Sequence, residues 1–340
     1  MNDNRNIHTL KTRLKRIGTV RKLRARADLG SVAGKPLMFA VEVSSVCNLK
    51  CGFCSYTAVD RKRRIVPLDE YSDILSGMKS IVADSGKKDS FVALTGLGET
   101  FLISNITDYL AATRKALPGA TIGIASNFTC IKKETMERIF REKLLDVLTC
   151  SLNYTDEAAY RDACGGDHFS KVIETIDDFA ECRKKFGSGL KLMIGMKKKH
   201  GMSDRDVEDF EAYAAGRWKD AVSVTWSNVF SWSKGLELPG VDEPAARRTF
   251  PCYCLFEMKM LIDHKGDIYP CCTCFTRETT PELMLGNVTR TSYADLRARF
   301  SEIRRAHCRG EWSRLPFCSE CNVYANERYD VFFKIGNRYF

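Results

Sequence analysis

Three cysteines within eight residues constrain this chain more than any other feature. Cys47, Cys51 and Cys54 directly follow the apolar run 38–43. An apolar run bounded by polar residues is typical of a buried strand, so the cysteines are predicted to lie on the loop at its carboxyl end. Three thiolates this close together can bind one face of an iron–sulfur cube, but they supply only three of its four usual protein ligands.

Zinc and a group of buried structural thiols are the alternatives for this loop. Zinc sites typically use two CxxC-type pairs, whereas this loop has three cysteines and no histidine nearby. The intervening Asn48, Lys50 and Gly52 are unsuited to a core segment. The spacing therefore favours an iron–sulfur cluster whose fourth iron is open to a small chelating molecule, as a catalytic zinc keeps one position open.

The fifteen cysteines of the whole chain indicate a reducing compartment. Their odd number and the absence of an apolar leader argue against a secreted disulfide scaffold. No stretch approaches the roughly 20 apolar residues that a membrane span needs. We therefore expect a cytoplasmic protein, in which Cys150, Cys164 and Cys182 are buried core thiols. Its 340 residues suffice for one large domain and a smaller one.

The segment 1–36 carries most of the net charge of +10, because it holds ten lysines and arginines against two aspartates. Residues 7–29 are predicted to form a basic helix with an apolar stripe, as a helical N-terminal extension. Such a helix could contact a membrane surface or nucleic acid. No aromatic residue interleaves the charges, so we favour a helix that packs its stripe on the body of the protein.

Beyond the cysteine loop, strand-like and helix-like segments alternate up to residue 226. The predicted strands are 91–94, 121–125, 146–152, 190–194 and 222–226, and the predicted helices are 69–83, 106–116, 132–142, 168–186 and 204–215. This alternation predicts an α/β fold whose parallel sheet has right-handed crossovers. Six such units form a partial (β/α)6 TIM-like barrel over residues 37–238, with its chemistry on the loops at the strand carboxyl ends.

The last part of the chain, residues 239–340, is predicted to be a small cysteine-rich domain of β-hairpin and helix. Pro239, Gly240 and Pro244 mark a linker, and eight of the fifteen cysteines follow it. The segment 261–269 predicts a hairpin with its turn at 264–266 and cysteines beyond both outer ends. With a later CxxC pair these cysteines suffice for a closed four-thiolate site, for which zinc and a second iron–sulfur cluster compete.

The CxxxCxxC pattern, with the aromatic Phe53 before its third cysteine, resembles the signature of the radical S-adenosylmethionine (SAM) superfamily. The resemblance implies that the amino and carboxylate groups of SAM chelate the open iron of a [4Fe-4S] cluster. One electron from the cluster then splits the sulfonium, and the resulting 5′-deoxyadenosyl radical abstracts hydrogen from substrate. The protein supplies positioning and excludes water.

Three further stretches at predicted strand ends are similar to SAM-contacting parts of that family. Gly96-Leu97-Gly98-Glu99 resembles the GxGE motif, whose glutamate holds the methionine amino group, although Thr100 stands where relatives usually have proline. A plain strand-to-helix turn is the alternative. The two other stretches are Ser126-Asn127 and the segment at Ser151, near the ends of the next two predicted strands. The cofactor contacts that the resemblance implies are Phe53, Gly96, Gly98, Glu99, Ser126, Asn127 and Ser151.

The C-terminal part resembles the SPASM/twitch extension of radical SAM enzymes, which carries one or two auxiliary [4Fe-4S] clusters. The matching features are Pro251-Cys252, the spacing from Gly266 to Cys271, Gly286-Asn287-Val288, Arg304 to His307, and the pair Cys318 and Cys321. The version with two clusters needs cysteines after the CxxC pair, and none follows Cys321. The resemblance therefore implies one auxiliary cluster, bound by Cys271, Cys318 and Cys321 with either Cys252 or Cys254.

An oxidoreductase is the function that the resemblance implies. We expect a two-electron oxidation of a small polar metabolite, sugar-like or aminocyclitol-like, in a biosynthetic pathway, with flavodoxin or ferredoxin as electron donor. Peptide maturases of the family often carry a leader-binding domain, and the basic N-terminus is too short to be one. The alternatives are a peptide maturase, an epimerase that uses Cys130, Cys274 or Cys308 as hydrogen donor, and a non-catalytic metal-binding module for electron transfer or nucleic-acid binding.

Overall fold

A computed structural model describes residues 37–198, 202–229, 252, 255, 258–276 and 280–321, with two short strands at 334–335 and 338–339. The predicted N-terminal helix, the predicted linker and Cys254 lie outside the described residues. No described helix has the length and apolar character that crossing a membrane requires.

Six parallel strands form the main part of the sheet and lie side by side in chain order. They are β1 (Leu37–Val41), β2 (Ser90–Leu94), β3 (Ala120–Ser126), β4 (Val147–Asn153), β5 (Leu192–Lys198) and β6 (Val222–Asn228). Strand β6 is at one edge of the sheet and does not pair with β1, so the barrel stays open. The predicted partial barrel is therefore confirmed.

Helices connect these strands, as right-handed crossovers in a parallel sheet require. They are α1 (Leu68–Ser85), α2 (Ile106–Ala116), α3 (Lys133–Arg141), α4 (Glu157–Cys164), α5 (Phe169–Lys185) and α6 (Asp204–Trp218). The five predicted helices are confirmed, and α4 is an additional one. Asp156 caps the start of α4, because its side chain accepts a hydrogen bond from Ala159 N, and the left-handed Gly165 caps its end.

Alternate strand residues pack on opposite faces of the sheet. On β1, Leu37, Phe39 and Val41 belong to the large core that includes the apolar faces of the helices. Met38 belongs instead to a small separate cluster with Phe91, Ala93 and Met193, which come from β2 and β5. This second cluster therefore lies on the face of the sheet opposite the large core.

The C-terminal segment extends the same sheet. Strand β7 (Lys259–Ile262) pairs in parallel with β1, and the antiparallel β8 (Asp267–Tyr269) and β9 (Gly286–Asn287) follow. The predicted hairpin is confirmed as β7 and β8, here called the auxiliary hairpin, with Gly266 left-handed in its turn (φ 82°). Beyond it lie α7 (Tyr293–Arg309), α8 (Pro316–Glu320) and the short antiparallel pair β10 (Lys334–Ile335) and β11 (Arg338–Tyr339).

Two close contacts hold the C-terminal segment against the barrel. Gly77 lets α1 approach the turn after β9, because a Cβ atom there would collide with the carbonyl group of Val288. At the carboxyl end of β1, the buried Glu42 carboxylate accepts hydrogen bonds from Arg61 (3.2 and 2.8 Å), whose Nη2 also lies 2.8 Å from Nδ1 of His264 in the auxiliary hairpin. These contacts fix the C-terminal segment beside the cysteine loop.

Candidate functional site

The loop that contains the first three cysteines leaves the carboxyl end of β1 and packs on the end of α4. Gly52 N donates a hydrogen bond to Ala163 O (2.8 Å), and Cys54 N donates one to Cys51 O (3.0 Å). All three cysteines are half-buried. The predicted position of the cysteines on the loop after β1 is therefore confirmed.

The surroundings of the loop raise the pKa of all three thiols. Burial is the largest cause for Cys47, whose pKa rises to about 11, and for Cys54. For Cys51 the largest cause is a hydrogen bond with the Cys164 thiol, followed by burial. The thiols are thus protonated near neutral pH, and metal binding must displace these protons because the thiolate is the ligand.

Glu99 lies buried beside this loop and accepts three hydrogen bonds. The donors are Phe101 N (2.9 Å), Ser126 Oγ (2.8 Å) and Asn127 N (2.7 Å). Burial raises the pKa of Glu99, and these hydrogen bonds partly offset that rise. The structure therefore brings Glu99 together with Ser126 and Asn127, which the sequence analysis assigned to a different loop.

The two glycines of the GxGE stretch let its loop approach the segment after β1. A Cβ atom on Gly98 would collide with the backbone of Ser44 and Val46, and Glu99 N donates a hydrogen bond to Val46 O (2.8 Å). A Cβ atom on Gly96 would collide with the Glu42 side chain. The visible role of both glycines is close packing of two loops, and their approach to a cofactor stays a prediction.

Asn127 connects the Glu99 group to the cysteine loop. Its Nδ2 donates to Asn48 Oδ1 (3.0 Å) and lies 4.0 Å from Cys47 Sγ, while Asn48 Nδ2 donates to Thr129 Oγ1 (2.8 Å). No sequence pattern pointed to Asn48 or Thr129 as site residues, because an asparagine and a threonine in loops are usually solvated. These bonds make the loops after β1 and β3 one hydrogen-bonded unit.

Phe53 and Ser151 lie near β4. The Phe53 ring is 6.0 Å from the ring of Tyr154, centroid to centroid. Ser151 is half-buried in β4, and its carbonyl oxygen accepts a hydrogen bond from Asn153 Nδ2 (2.9 Å). Asn153 has a left-handed backbone (φ 68°) where the pairing of β4 and β5 shifts register. Contacts of Phe53 and Ser151 with a cofactor stay predictions.

Lys197 is a residue near the site that the sequence analysis missed. It lies on β5, and its Nζ donates to Ser227 Oγ on the neighbouring strand β6 (2.8 Å). Its positive charge lowers the pKa of Cys54, although burial of that thiol has the larger effect. The available signal was its position near the carboxyl end of a predicted strand.

Four cysteines of the C-terminal segment line one cavity. They are Cys252, Cys271, Cys318 and Cys321, and most of the remaining wall is apolar. Among the two alternatives for the fourth ligand, Cys252 lines the cavity and Cys254 lies outside the described residues. Thiols from separate stretches of chain that face one cavity fit a cluster held by four thiolates.

His307 is a polar residue in the wall of this cavity. It is buried on α7, Cys252 N donates a hydrogen bond to its Nδ1 (3.4 Å), and its ring meets the Trp312 ring edge-on at 4.7 Å between centroids. The imidazole therefore helps to hold the backbone at Cys252.

Three other cysteines were predicted to be buried core thiols. Cys150, Cys164 and Cys182 are buried, as predicted, but Cys164 also contacts Cys51. No disulfide joins the described cysteines, and no three histidine, cysteine or acidic side chains in the described part of the chain are arranged around a single-ion site.

Two family models match the chain. The model of the radical SAM superfamily matches residues 41–213, and the model of SPASM, an iron–sulfur cluster-binding domain, matches residues 252–322. No curated protein sequence matches the chain significantly.

Several solved structures have a similar fold. BtrN in complex with AdoMet and 2-DOIA is 15% identical, with 87% of this chain and 98% of BtrN covered and a TM-score of 0.51. SuiB of Streptococcus suis bound to precursor peptide SuiA is 20% identical. The match covers 83% of this chain and 68% of SuiB, with a TM-score of 0.58. anSMEcpe with bound AdoMet is 18% identical. The match covers 86% of this chain and 92% of anSMEcpe, with a TM-score of 0.58. At these identities the likeness concerns the fold alone.

Proposed function

This chain belongs to the radical SAM superfamily and carries a C-terminal SPASM domain, and from that premise we propose that it oxidises a small polar metabolite by two electrons. Membership means that the protein uses SAM and a [4Fe-4S] cluster, and the SPASM domain adds auxiliary iron–sulfur binding. We divide the chain into a core over residues 37–238 and an auxiliary domain over residues 239–340.

We assign Cys47, Cys51 and Cys54 to the SAM-binding cluster. Support comes from their common loop at the carboxyl end of β1, where a parallel sheet presents its functional residues. When bound, this cluster and SAM supply a 5′-deoxyadenosyl radical that takes hydrogen from an unactivated C–H bond. The protons on the three buried thiols leave when iron binds.

Glu99 is proposed to hold the ammonium group of SAM. An ionised carboxylate offers about four lone-pair sites, and three accept hydrogen bonds from Phe101, Ser126 and Asn127. The remaining site suits a charge-assisted bond to an ammonium group, and burial strengthens such a bond. Ser126 and Asn127 then act mainly by fixing the carboxylate, while Phe53, Gly96, Gly98 and Ser151 stay the proposed walls of the cofactor site.

One observation carries the proposed oxidation: four cysteines face a single cavity in the auxiliary domain. We assign Cys252, Cys271, Cys318 and Cys321 as ligands of one auxiliary [4Fe-4S] cluster. Four protein thiolates leave no iron open to substrate, so the chemistry that this cluster supplies is electron transfer rather than substrate binding. An external donor such as flavodoxin or ferredoxin is proposed to reduce the SAM-binding cluster.

A small metabolite is the proposed substrate class. In support, the chain covers 98% of BtrN, the protein seen with AdoMet and 2-DOIA, but only 68% of SuiB, the protein seen with a precursor peptide. The sugar-like or aminocyclitol-like class rests on this likeness. A peptide substrate is the second candidate, because anSMEcpe is also seen with a bound peptide and the chain covers 90% of that protein.

The test is an anaerobic assay of the reconstituted protein with SAM, a reductant and two substrate panels, aminocyclitols and short peptides. We expect 5′-deoxyadenosine, one SAM consumed per product, and a product two hydrogens lighter. Cys47→Ala is the inactive control. A product of unchanged mass that carries one deuterium from heavy water would show epimerisation instead, and turnover of peptides alone would select the second candidate.

A further inference from the structure

Three side chains beside the cysteine loop form a closed ring of hydrogen bonds, here called the amide ring. Thr129 Oγ1 lies 2.7 Å from Asn127 Oδ1, and Asn127 Nδ2 lies 3.0 Å from Asn48 Oδ1. Asn48 Nδ2, at 2.8 Å from Thr129 Oγ1, closes the ring. The amide ring therefore joins the loop after β1, which contains the cysteines, to the loop after β3.

A backbone group fixes the direction of the bonds in the amide ring. Thr129 N, which can only donate, lies 3.0 Å from Asn127 Oδ1, so the oxygen of this amide faces Thr129. The Thr129 hydroxyl group donates its single hydrogen to the same oxygen and accepts the bond from Asn48 Nδ2. Asn48 Oδ1 is therefore the acceptor for Asn127 Nδ2, and the two ends of each amide are assigned.

The Asn127 amide has a second N–H group for the thiol of Cys47. One hydrogen of Nδ2 is bonded to Asn48 Oδ1, and the same nitrogen lies 4.0 Å from Cys47 Sγ, a long hydrogen bond to sulfur. The Tyr56 hydroxyl group holds the Cys47 backbone at its N–H group (3.2 Å) and at its carbonyl group (3.3 Å). Cys47 is therefore held from two sides, by Tyr56 at its backbone and by Asn127 at its sulfur.

Iron binding strengthens the bond from Asn127. The three half-buried thiols on one loop fit the donor set of an iron–sulfur cluster with one open iron. A cysteine that binds iron is a thiolate, which can only accept hydrogen bonds. Bonds to a charged acceptor are shorter and stronger than those to a neutral one. A second sulfur atom of the loop, Cys54 Sγ, likewise accepts a hydrogen bond, from Tyr56 N (3.4 Å).

We propose that Asn127 is a positioning residue whose side-chain amide donates a hydrogen bond to the Cys47 thiolate of the SAM-binding cluster and raises the reduction potential of that cluster. The proposal rests on the assignment of Cys47 as a cluster ligand under the proposed function. Reduction moves one electron from the external donor to the cluster, and no bond forms or breaks. The added negative charge makes the sulfur atoms stronger acceptors, so a donor stabilises the reduced state.

The test is a redox titration of the reconstituted full-length protein, followed by electron paramagnetic resonance. The signal that changes when SAM is added identifies the core cluster. At a fixed solution potential near the wild-type midpoint, Asn127→Ala should lower the ratio of reduced to oxidised core cluster by about two- to fivefold, the effect of one hydrogen bond. Asn127→Asp should lower it at least as much, because its carboxylate keeps an acceptor for Thr129 N and has no N–H group for Cys47.

Two further variants separate the donor from the rest of the amide ring. Thr129→Val removes the hydroxyl group, but the backbone N–H group at this position still orients the Asn127 amide, so the ratio should stay near wild type. Asn105→Ala is the matched control, because it removes the side-chain amide of an exposed asparagine outside the ring, just before α2. Its ratio should equal that of wild type.

An unchanged ratio in both Asn127 variants, with full iron content, would overturn the inference. A shift in Thr129→Val as large as that in Asn127→Ala would also overturn it, because the effect would then come from the ring as a whole. Should Asn127→Ala not bind the core cluster, Asn127→Asp decides alone. A wild-type protein without any SAM-responsive cluster would refute the proposed function itself.

Discussion

Arg61 donates two hydrogen bonds to the Glu42 carboxylate, and both side chains are almost completely buried where the auxiliary hairpin meets the barrel. Glu42 also accepts a hydrogen bond from Leu97 N in the GxGE loop (3.1 Å), and His264 Nδ1 lies within hydrogen-bonding distance of both charged side chains. One buried ion pair therefore joins the barrel, the proposed cofactor loop and the auxiliary domain.

Loss of Arg61 should strongly destabilise the protein. Arg61→Ala leaves Glu42 as a buried charge without its cation, which typically lowers the free energy of unfolding by about 3–5 kcal/mol. Urea unfolding followed by circular dichroism measures the change. Arg64→Ala is the control, because the pair of Arg64 with Glu70 is exposed and should be worth at most about 1 kcal/mol. Equal effects of the two variants would contradict a structural role for the buried pair.

Iron content should distinguish Cys252 from its neighbours in the auxiliary domain. The reconstituted wild type should hold about eight irons, because two four-iron clusters are proposed. Cys252→Ala removes a cavity-lining thiol and should leave about four irons, whereas Cys272→Ala should keep about eight because Cys272 does not line the cavity. Colorimetric iron analysis measures both. The ligand set would have to change if Cys272→Ala lost iron and Cys252→Ala did not.

Glu99→Gln should weaken SAM binding. A charge-assisted bond to the ammonium group becomes a neutral one, which is worth roughly 1–2 kcal/mol less. The dissociation constant measured by anaerobic calorimetry should then rise by about 5- to 30-fold. Glu134→Gln changes an exposed glutamate on α3 and should bind SAM like wild type. An unchanged constant for Glu99→Gln would mean that the GxGE loop is only a turn.

Two helix glycines should respond in opposite ways to alanine. Gly77→Ala places a methyl group against the Val288 carbonyl, and such overpacking typically costs about 1–3 kcal/mol. Gly216→Ala on α6 meets no atom within 4 Å and should stabilise the helix by up to about 1 kcal/mol. Thermal unfolding of the two variants measures both effects. A fall in melting temperature for Gly216→Ala would contradict the described packing of α6.

The contact between α5 and α6 should depend on pH through Asp177. Hydrogen bonds from Arg217 and Trp218 lower the pKa of its carboxyl group below the usual value of about 3.9. A lowered pKa means that the stabilisation is present above about pH 4 and is lost as the pH falls through the folded-state pKa. Because the pair is partly exposed, Asp177→Asn should lower the free energy of unfolding by about 0.5–1 kcal/mol at pH 6.

Unfolding of wild type and Asp177→Asn in urea at a series of pH values provides the measurement. The difference between them should shrink as the pH falls through the folded-state pKa of Asp177, because the wild-type carboxyl group then becomes neutral as well. It should also shrink at high salt, since ions screen exposed pairs. A difference that stays constant from pH 6 to pH 2 would show that the charge of Asp177 contributes nothing.

Local patterns in the sequence determined the parallel sheet, five helices and the auxiliary hairpin, because hydrophobic periodicity and turn residues act over a few neighbours. The spacing of Cys47, Cys51 and Cys54 likewise needs only one loop. The helix α4 was not predicted because it is short. Its N-cap residue Asp156 and its C-cap residue Gly165 are nevertheless types that favour helix ends.

Only the tertiary structure brought distant parts of the chain together. Strand β7 pairs with β1 rather than forming a separate sheet, and this pairing places His264 beside Glu42. The packing of α4 on the cysteine loop brings the backbone of Cys164 to Cys51, 113 residues apart, so a residue that the sequence could place only in the core contacts a proposed cluster ligand. Such contacts depend on strand order and on close packing between elements, which no pattern within a short stretch of sequence encodes.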